Sequence, residues 1–268
     1  MSDPFQNVDA AGPEFIKLFA DSMDARQSDP TMEAIVADYL GRLAIPKHGR
    51  VVEIGAGAGA VTRRIAAHFA EASVVGYEPS NGFVAEAKER GAGFANLEFV
   101  CADGANLPCA EATADAVILH TVLSHVTDPK SILNEAKRVL KPGGTLVVCD
   151  ADFDKSSLAS FPNDPLDCLA KEFVRGFVTD AHIVGKLARL FREVGLAPGH
   201  HAVTSRLVNT APLMMPWIDV TTRGMVERGD IGPALRDALI AEHDRRLENG
   251  TLYGFQLFAT SLASKPTD

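Results

Sequence analysis

Three glycines at alternate positions stand in Glu53-Ile54-Gly55-Ala56-Gly57-Ala58-Gly59-Ala60, between a short apolar run and a helical one. Glycine lets the backbone turn sharply and lets a ligand approach to contact distance. The N-terminus of a following helix leaves free N–H groups beside that ligand. Glu78 ends the next apolar run, where a carboxylate can accept hydrogen bonds from a ligand. His120 and His125 lie at or just past the end of another such run. Histidine titrates near neutrality and can accept a proton from a reacting group.

These side chains need a scaffold, and the hydrophobic pattern supplies one. Short apolar runs at Arg50–Ile54, Ser73–Tyr77, Leu97–Cys101, Ala116–His120 and Thr145–Cys149 read as strands. Helical periods at Val61–Phe69, Gly82–Arg90 and Ser131–Leu140 alternate with them. Strands alternating with helices imply a parallel sheet covered on both faces, and runs without polar alternation fit burial on both sides. Ligands bind such sheets at the carboxyl ends of the strands, where the glycine run, Glu78 and the two histidines all fall.

The flanking regions are less regular. Residues 1–12 are polar and read as loose. Residues 13–45 read as helical, with Asp29-Pro30 as a helix start. Residues 151–178 show no clear period. A helix capped by Thr179-Asp180 runs to Gly195, and a strand follows at Ala202–Val208. The segment 209–250 holds a helix near Ala234–Leu247, and Tyr253–Ser261 reads as a last strand.

Bulk properties narrow the partners. Apolar residues make up 46% of the 268 and charged residues 23%, as in a globular protein. No run approaches the length of a membrane helix, and no secretion signal opens the chain. The formal charge of −9 repels phosphate backbones, so nucleic acid is not expected as a partner. Cys101, Cys109, Cys149 and Cys168 are scattered, which fits a reducing cytoplasm and no zinc knuckle. His182, His200, His201 and His243 are also dispersed, and adjacent residues of a strand point to opposite faces, so no metal is expected.

Gly55-x-Gly57-x-x-Ala60 satisfies a dinucleotide fingerprint as well. Glu53 argues against it. A carboxylate two residues before the first glycine would repel a pyrophosphate, whereas a cationic ligand tolerates it.

The order of motifs then resembles the class I S-adenosylmethionine (SAM)-dependent methyltransferases. Val52-Glu53-Ile54-Gly55-Ala56-Gly57-Ala58-Gly59 is similar to their first motif, and Tyr77-Glu78-Pro79-Ser80 to their second. Cys101-Ala102-Asp103-Gly104, with Leu107-Pro108, is similar to the third. Asp115-Ala116-Val117-Ile118, Val122-Leu123-Ser124-His125-Val126 and Leu140-Lys141-Pro142-Gly143-Gly144-Thr145-Leu146 continue the series. The match covers roughly residues 45–150.

The resemblance implies an α/β, Rossmann-like, doubly wound sheet of seven strands. The sheet would be mostly parallel, with an antiparallel last strand, N-terminal helices and a helical insertion. It divides the chain into an N-terminal helical cap, 1–45, and a SAM-binding domain, 46–268, with insertions at about 151–178 and 209–250. It implies a cofactor site made by Glu53, Gly55, Ala56, Gly57, Gly59, Glu78, Pro79, Ala102, Asp103, Gly104 and His120. Glu78 would hold the ribose and Asp103 the adenine amino group.

The implied reaction is methyl transfer to an oxygen, nitrogen or carbon of a small molecule, releasing S-adenosylhomocysteine. Alignment of the acceptor supplies most of the acceleration, on the order of 7–11 kcal/mol in favourable cases. A base is needed only for a protonated acceptor, and His125 and His120 are the candidates; Asp150 and Asp152 are weaker ones. Phe19 and Met23, with Phe15 and Arg26, are expected to cover the site. Met214 and Trp217, in Leu213-Met214-Met215-Pro216-Trp217-Ile218, read as a lid over an apolar substrate, or as core packing or a homodimer contact. Arg236, Arg245 and Arg246 read as a solvated face. Alternatives are a SAM-fold enzyme of non-methylating chemistry (cyclisation, decarboxylation or hydroxylation), a nicotinamide oxidoreductase and a non-enzymatic scaffold.

Overall fold

A computed structural model describes residues 3–211 and 216–267. Seven strands form one sheet: β1 (Arg50–Ile54), β2 (Ser73–Glu78), β3 (Leu97–Cys101), β4 (Ala114–His120), β5 (Leu140–Ser157), β6 (Ala197–Leu207) and β7 (Phe255–Ser264). Their order is β3-β2-β1-β4-β5-β7-β6. The pairs β1–β2, β1–β4, β2–β3 and β4–β5 are parallel, and β7 runs antiparallel to both its neighbours. The strand order reverses between β1 and β4, so a crevice opens at their carboxyl ends.

Burial follows position in the sheet. The inner residues of β1 and β4 are buried on both faces, which is why those strands read as unbroken apolar runs. From His200 the edge strand β6 alternates between exposed and covered positions, the most covered being Arg206. β5 extends eight residues past the apolar run Thr145–Cys149, because Cys149 to Asp152 pair with Thr260 to Leu257 of β7. Backbone pairing thus carries the strand through polar residues that end the hydrophobic signal.

Helices cover both faces. Met32, Ile35, Val36, Tyr39 and Leu40 of α2 (Pro30–Gly41) join Val61 and Ile65 of α3 (Ala60–His68) over one face. Burying side chains of this size contributes about 1.5–3 kcal/mol each. α4 (Asn81–Arg90) packs Val84 and Ala87 on Phe99 of β3. α5 (Pro129–Val139) and α7 (Ile183–Glu193) cover the other face through Ile132, Leu133, Ala136, Leu187 and Phe191. α6 (Asp167–Phe177), α8 (Thr221–Glu227) and α9 (Pro233–Glu248) extend the first core, with Trp217 and Met225 inside it. α6 and α8 supply helices within the segments read as insertions.

Residues 3–12 are not a loose leader. They form two short 3-10 turns, each tied to the domain. Asp9 accepts hydrogen bonds from the Ser80 hydroxyl (2.6 Å), Asn81 N–H (2.9 Å) and Gly82 N–H (3.0 Å), so it caps α4 from outside that helix. The Ser80 hydroxyl, together with these backbone donors, lowers the pKa of the Asp9 carboxyl. α1 (Pro13–Gln27) is held across α3 and α4 by Asp24, which pairs with both Arg63 and Arg90, and by an Asp21–Arg90 pair at 2.7 Å. Polarity alone does not report these pairings, because the partners lie 39 to 73 residues away.

Arg246 is not part of a solvated face. It is 3% exposed and donates to Asp164 at 2.7 and 2.9 Å and to Glu242 at 2.6 Å, anchoring α9 beneath the segment after β5. Arg245 and Arg236 pair with Glu242 and Asp237. No helix among the described residues is long and apolar enough to cross a membrane.

Candidate functional site

The glycine loop joins β1 to α3. Gly55, Gly57 and Gly59 have φ of 73°, 53° and 77°, in the left-handed region where a side chain is strained. Gly55 and Ala56 N–H donate to the Tyr77 carbonyl at 2.8 and 3.0 Å, which ties the loop to β2. A Cβ on Gly57 would come within 2.9 Å of the Met23 sulfur, and one on Gly55 within 2.6 Å of Val122. Gly59 faces the ring of Phe99, at 2.5 Å for the same added atom, so its smallness serves helix packing.

Glu78 closes the loop. Its carboxylate accepts from Gly57 N–H at 2.9 Å and Ser80 N–H at 3.0 Å. Burial pushes its pKa up to about 7, against these two donors, and the nearby Asp9 adds to the rise. A carboxylate has about four acceptor positions, so two donors leave room for ligand hydroxyls.

Glu78, Pro79, Asp103, Gly104, Gly55 and Gly57 line one cleft of about 640 Å³, a size suited to a nucleoside-bearing ligand. Asp103 accepts from Ala105 N–H at 3.0 Å, which orients its carboxylate. The cleft also takes in Asp128, the cap of α5, which the sequence reading missed. Asp128-Pro129 was the available signal, the same pattern as Asp29-Pro30.

Five predicted cofactor residues do not line this cleft: Glu53, Ala56, Ala102, Gly59 and His120. Glu53 is 1% exposed and accepts from the Thr62 hydroxyl at 2.5 Å. Burial pushes its pKa up to about 8; the Thr62 bond opposes this and the Glu78 charge adds to it. Ala56 packs toward Gly76 of β2, and Ala102 N–H donates to the Glu78 carbonyl at 3.1 Å. Gly59 stands against Phe99.

The two histidines part company. His120 is buried away from the cleft, with Nε2 accepting from Gln27 at 3.1 Å and Nδ1 3.2 Å from the Tyr39 hydroxyl. Burial, with the charges of Arg26 and Arg64, pushes its pKa down to about 3. A neutral imidazole with both nitrogens engaged has no free position for a substrate proton, which argues against a catalytic role. His125 lines the cleft instead, with Nδ1 2.9 Å from Asp3 Oδ2. With Nδ1–H donating to that carboxylate, Nε2 carries the free lone pair.

An inner chamber of about 110 Å³ adjoins the cleft. Phe5, Met23, Thr121 and His125 line both spaces. Phe19, Phe153, Phe173 and Trp217 line the inner one alone, so predicted Phe19, Met23 and Trp217 all border one chamber. Met214 lies outside the described residues. Phe5 and Phe153 were missed: one sits in the segment read as loose, the other past the predicted end of β5. Thr121, between the two spaces, has φ of 58°, and its hydroxyl is buried without a partner among the described residues. A β-branched residue in that conformation costs of order 1–3 kcal/mol, and such strain clusters at ligand sites.

Asp150 is fully buried, accepting from Ser124 N–H at 3.2 Å, the Ser124 hydroxyl at 2.8 Å and Ala151 N–H at 2.9 Å. It braces the turn that carries His125. No group of three or more His, Cys, Asp or Glu among the described residues is arranged to hold a metal ion.

Comparisons place this geometry in a family. The methyltransferase domain profile matches residues 52–148, from β1 through the first part of β5. A demethylmenaquinone methyltransferase of Tropheryma whipplei is 34% identical over 166 residues, 57% of this chain and 68% of that protein. A second, from Clavibacter sepedonicus, is 34% identical over 139 residues; the match takes in 50% of this chain and spans 56% of the relative's own length. A solved Bacillus halodurans protein shares the fold, with a TM-score of 0.60 and 19% identity over 87% of this chain and 99% of that one. The chain belongs to the class I SAM-dependent methyltransferases.

Proposed function

We propose that the chain transfers the methyl group of SAM to a small-molecule acceptor. One observation carries the reading: the cleft lined by the glycine loop, Glu78 and Asp103 meets an aromatic chamber at Phe5, Met23, Thr121 and His125. A cofactor and a second compact molecule would therefore lie in contact.

The residues present suit that cofactor. Glu78 offers acceptor positions to ribose hydroxyls, Asp103 to an adenine amino group, and the unsubstituted Gly57 lets the ligand approach the backbone. Bound SAM supplies a methyl group on a sulfonium, already activated for in-line displacement. The chain's own work is to align the acceptor and exclude water. The aromatic wall does both. Where the acceptor arrives protonated, Nε2 of His125 takes the proton, and Asp3 stabilises the resulting imidazolium. His120, despite its place at the end of β4, has a structural role.

In the same reading, residues 1–45 act as a cap over the SAM-binding domain 46–268. The location is the cytoplasm, supported by four unpaired cysteines, and the net charge disfavours nucleic acid. The test is turnover with SAM and a panel of small acceptors. One S-adenosylhomocysteine should appear per acceptor methylated. An acceptor converted without S-adenosylhomocysteine would favour the non-methylating alternative.

A further inference from the structure

Two guanidinium groups line the inner chamber with fewer partners than covered cations normally have: Arg206 has one carboxylate beside it, Asp29, already shared with backbone donors, and Arg26 has no ion pair among the described residues. Arg206, on β6, is 3% exposed. Its Nη1 donates to Gln256 Oε1 at 3.3 Å, while Nη2 has no partner among the described residues. Its Nε lies 3.4 Å from Asp29 Oδ1 without forming a hydrogen bond. That oxygen already accepts from Thr31 and Met32 N–H, at 3.0 and 3.2 Å, as the cap of α2. Arg26, in the last turn of α1, has a buried Nε, likewise without a partner among the described residues.

Each cation raises the cost of the other. Burial, together with the charge of Arg206, pushes the Arg26 pKa down to about 10. Asp150 opposes this from a distance, but its oxygens are occupied by Ser124 and Ala151. Both arginines line an aromatic space with Gln256, and each carries at least one buried N–H group without a hydrogen-bond partner among the described residues.

Arg26, Arg206 and Gln256 line the inner chamber and not the cofactor cleft. Thr121 and His125, in contrast, line both spaces and mark where they meet. An anion held by the arginines would leave the other end of a small molecule at that junction. The chamber's volume of about 110 Å³ limits the body to a compact group, and the five Phe and Trp rings of its lining favour a planar one.

We propose that the acceptor is a small planar carboxylic acid, its carboxylate held by Arg206 and Arg26 and its ring or conjugated system set among Phe5, Phe153, Phe173 and Trp217. Guanidinium and carboxylate match as bidentate partners, which a phosphate-bearing lipid of larger volume would not improve. The proposal rests on the methyl-transfer reading for what happens to the acid, but its binding chemistry is measurable alone.

Trp217 is the single tryptophan of the chain and lines the chamber, so its fluorescence reports occupancy directly. The probes are benzoate, 4-hydroxybenzoate, salicylate and cinnamate, each beside its amide, with phenyl phosphate as a third arm. Each is titrated with and without S-adenosylhomocysteine. At least one acid should quench Trp217 and bind about tenfold or more tighter than its amide. Arg206→Gln and Arg26→Gln should each remove most of that preference, while calorimetry finds S-adenosylhomocysteine binding unchanged in both. The proposal is overturned if no acid quenches, if amides bind as tightly, if phenyl phosphate surpasses every acid, or if the preference survives in both variants. Failure of the wild-type protein to bind S-adenosylhomocysteine would instead count against the methyl-transfer reading, with the acid preference still read from the cofactor-free titration.

Discussion

Asp3 and His125, 122 residues apart in the chain, meet at 2.9 Å beside the junction of the two cavities. The Thr179 hydroxyl donates to the same carboxylate oxygen at 3.0 Å and so fixes it. A residue at the extreme N-terminus thereby orients the one histidine that faces both spaces.

If that pairing serves proton removal, Asp3→Asn lowers kcat for a protonated acceptor by roughly 10- to 100-fold, a usual cost of losing an orienting partner. SAM affinity should hold, since Asp3 does not line the cofactor cleft. In a His125→Ala background the same change should cost little more, because the two act as a unit. Additive losses in the double variant would contradict the coupling.

Glu78 needs its charge to accept from both ribose hydroxyls and its two N–H donors. Its pKa of about 7 then links SAM binding to pH. Affinity should rise as pH rises toward 7, by up to about tenfold per unit, and level off above it. Glu78→Gln should flatten that dependence and weaken binding by about 1.5–3 kcal/mol. Calorimetric titration across pH 6 to 8 measures both; a pH-independent affinity in the wild type would remove Glu78 from the ligand contacts.

Glu53 makes a stability prediction with a definite sign. Its folded pKa of about 8 stands above the ordinary 4.5, so the folded state keeps a proton that the unfolded chain releases between those values. Folding stability from this group therefore falls as pH rises through that window, by up to about 1.4 kcal/mol per unit. Glu53→Gln, which keeps the Thr62 hydrogen bond available, should flatten the cofactor-free denaturation profile between pH 5 and 8. An unchanged slope would show that Glu53 ionises normally.

Arg246 and Asp164 form a buried ion pair, with side-chain exposures of 4% and 0%. Arg246→Ala should destabilise the fold by about 3–5 kcal/mol, because Asp164 keeps its burial and loses its charge partner. Arg245→Ala, on a 59%-exposed neighbour, should cost under about 1 kcal/mol. Chemical denaturation distinguishes them, and equal losses would place Arg246 at the surface.

The contrast between these two arginines shows where sequence reading stops. The five parallel-order strands and their helices were legible, because burial on both faces leaves continuous apolar runs with a helical period between them. The glycine loop, Glu78 and Asp103 were legible because ligand contact at strand ends demands particular residue types at fixed spacing. Arg206 was silent: it lies in an alternating edge strand, and only the fold turns it toward Arg26. Asp3 and Phe5 were silent for a related reason, since a polar leader shows no period whether it is free or pinned. Glu53 and His120 were legible as chemistry-bearing residues, yet burial assigns each to a hydrogen-bonded support.

The most direct measurement is calorimetric titration of the purified protein, and of Gly57→Val, with SAM, S-adenosylhomocysteine and NADH. A side chain at position 57 meets Met23 at 2.9 Å and requires φ of 53°, so the variant puts bulk between two residues that line the cleft. The wild type should bind SAM and S-adenosylhomocysteine but not NADH, and Gly57→Val should bind none while retaining a cooperative unfolding transition. Binding of NADH alone, or undiminished SAM binding by the variant, would contradict the assignment of this cleft to the cofactor.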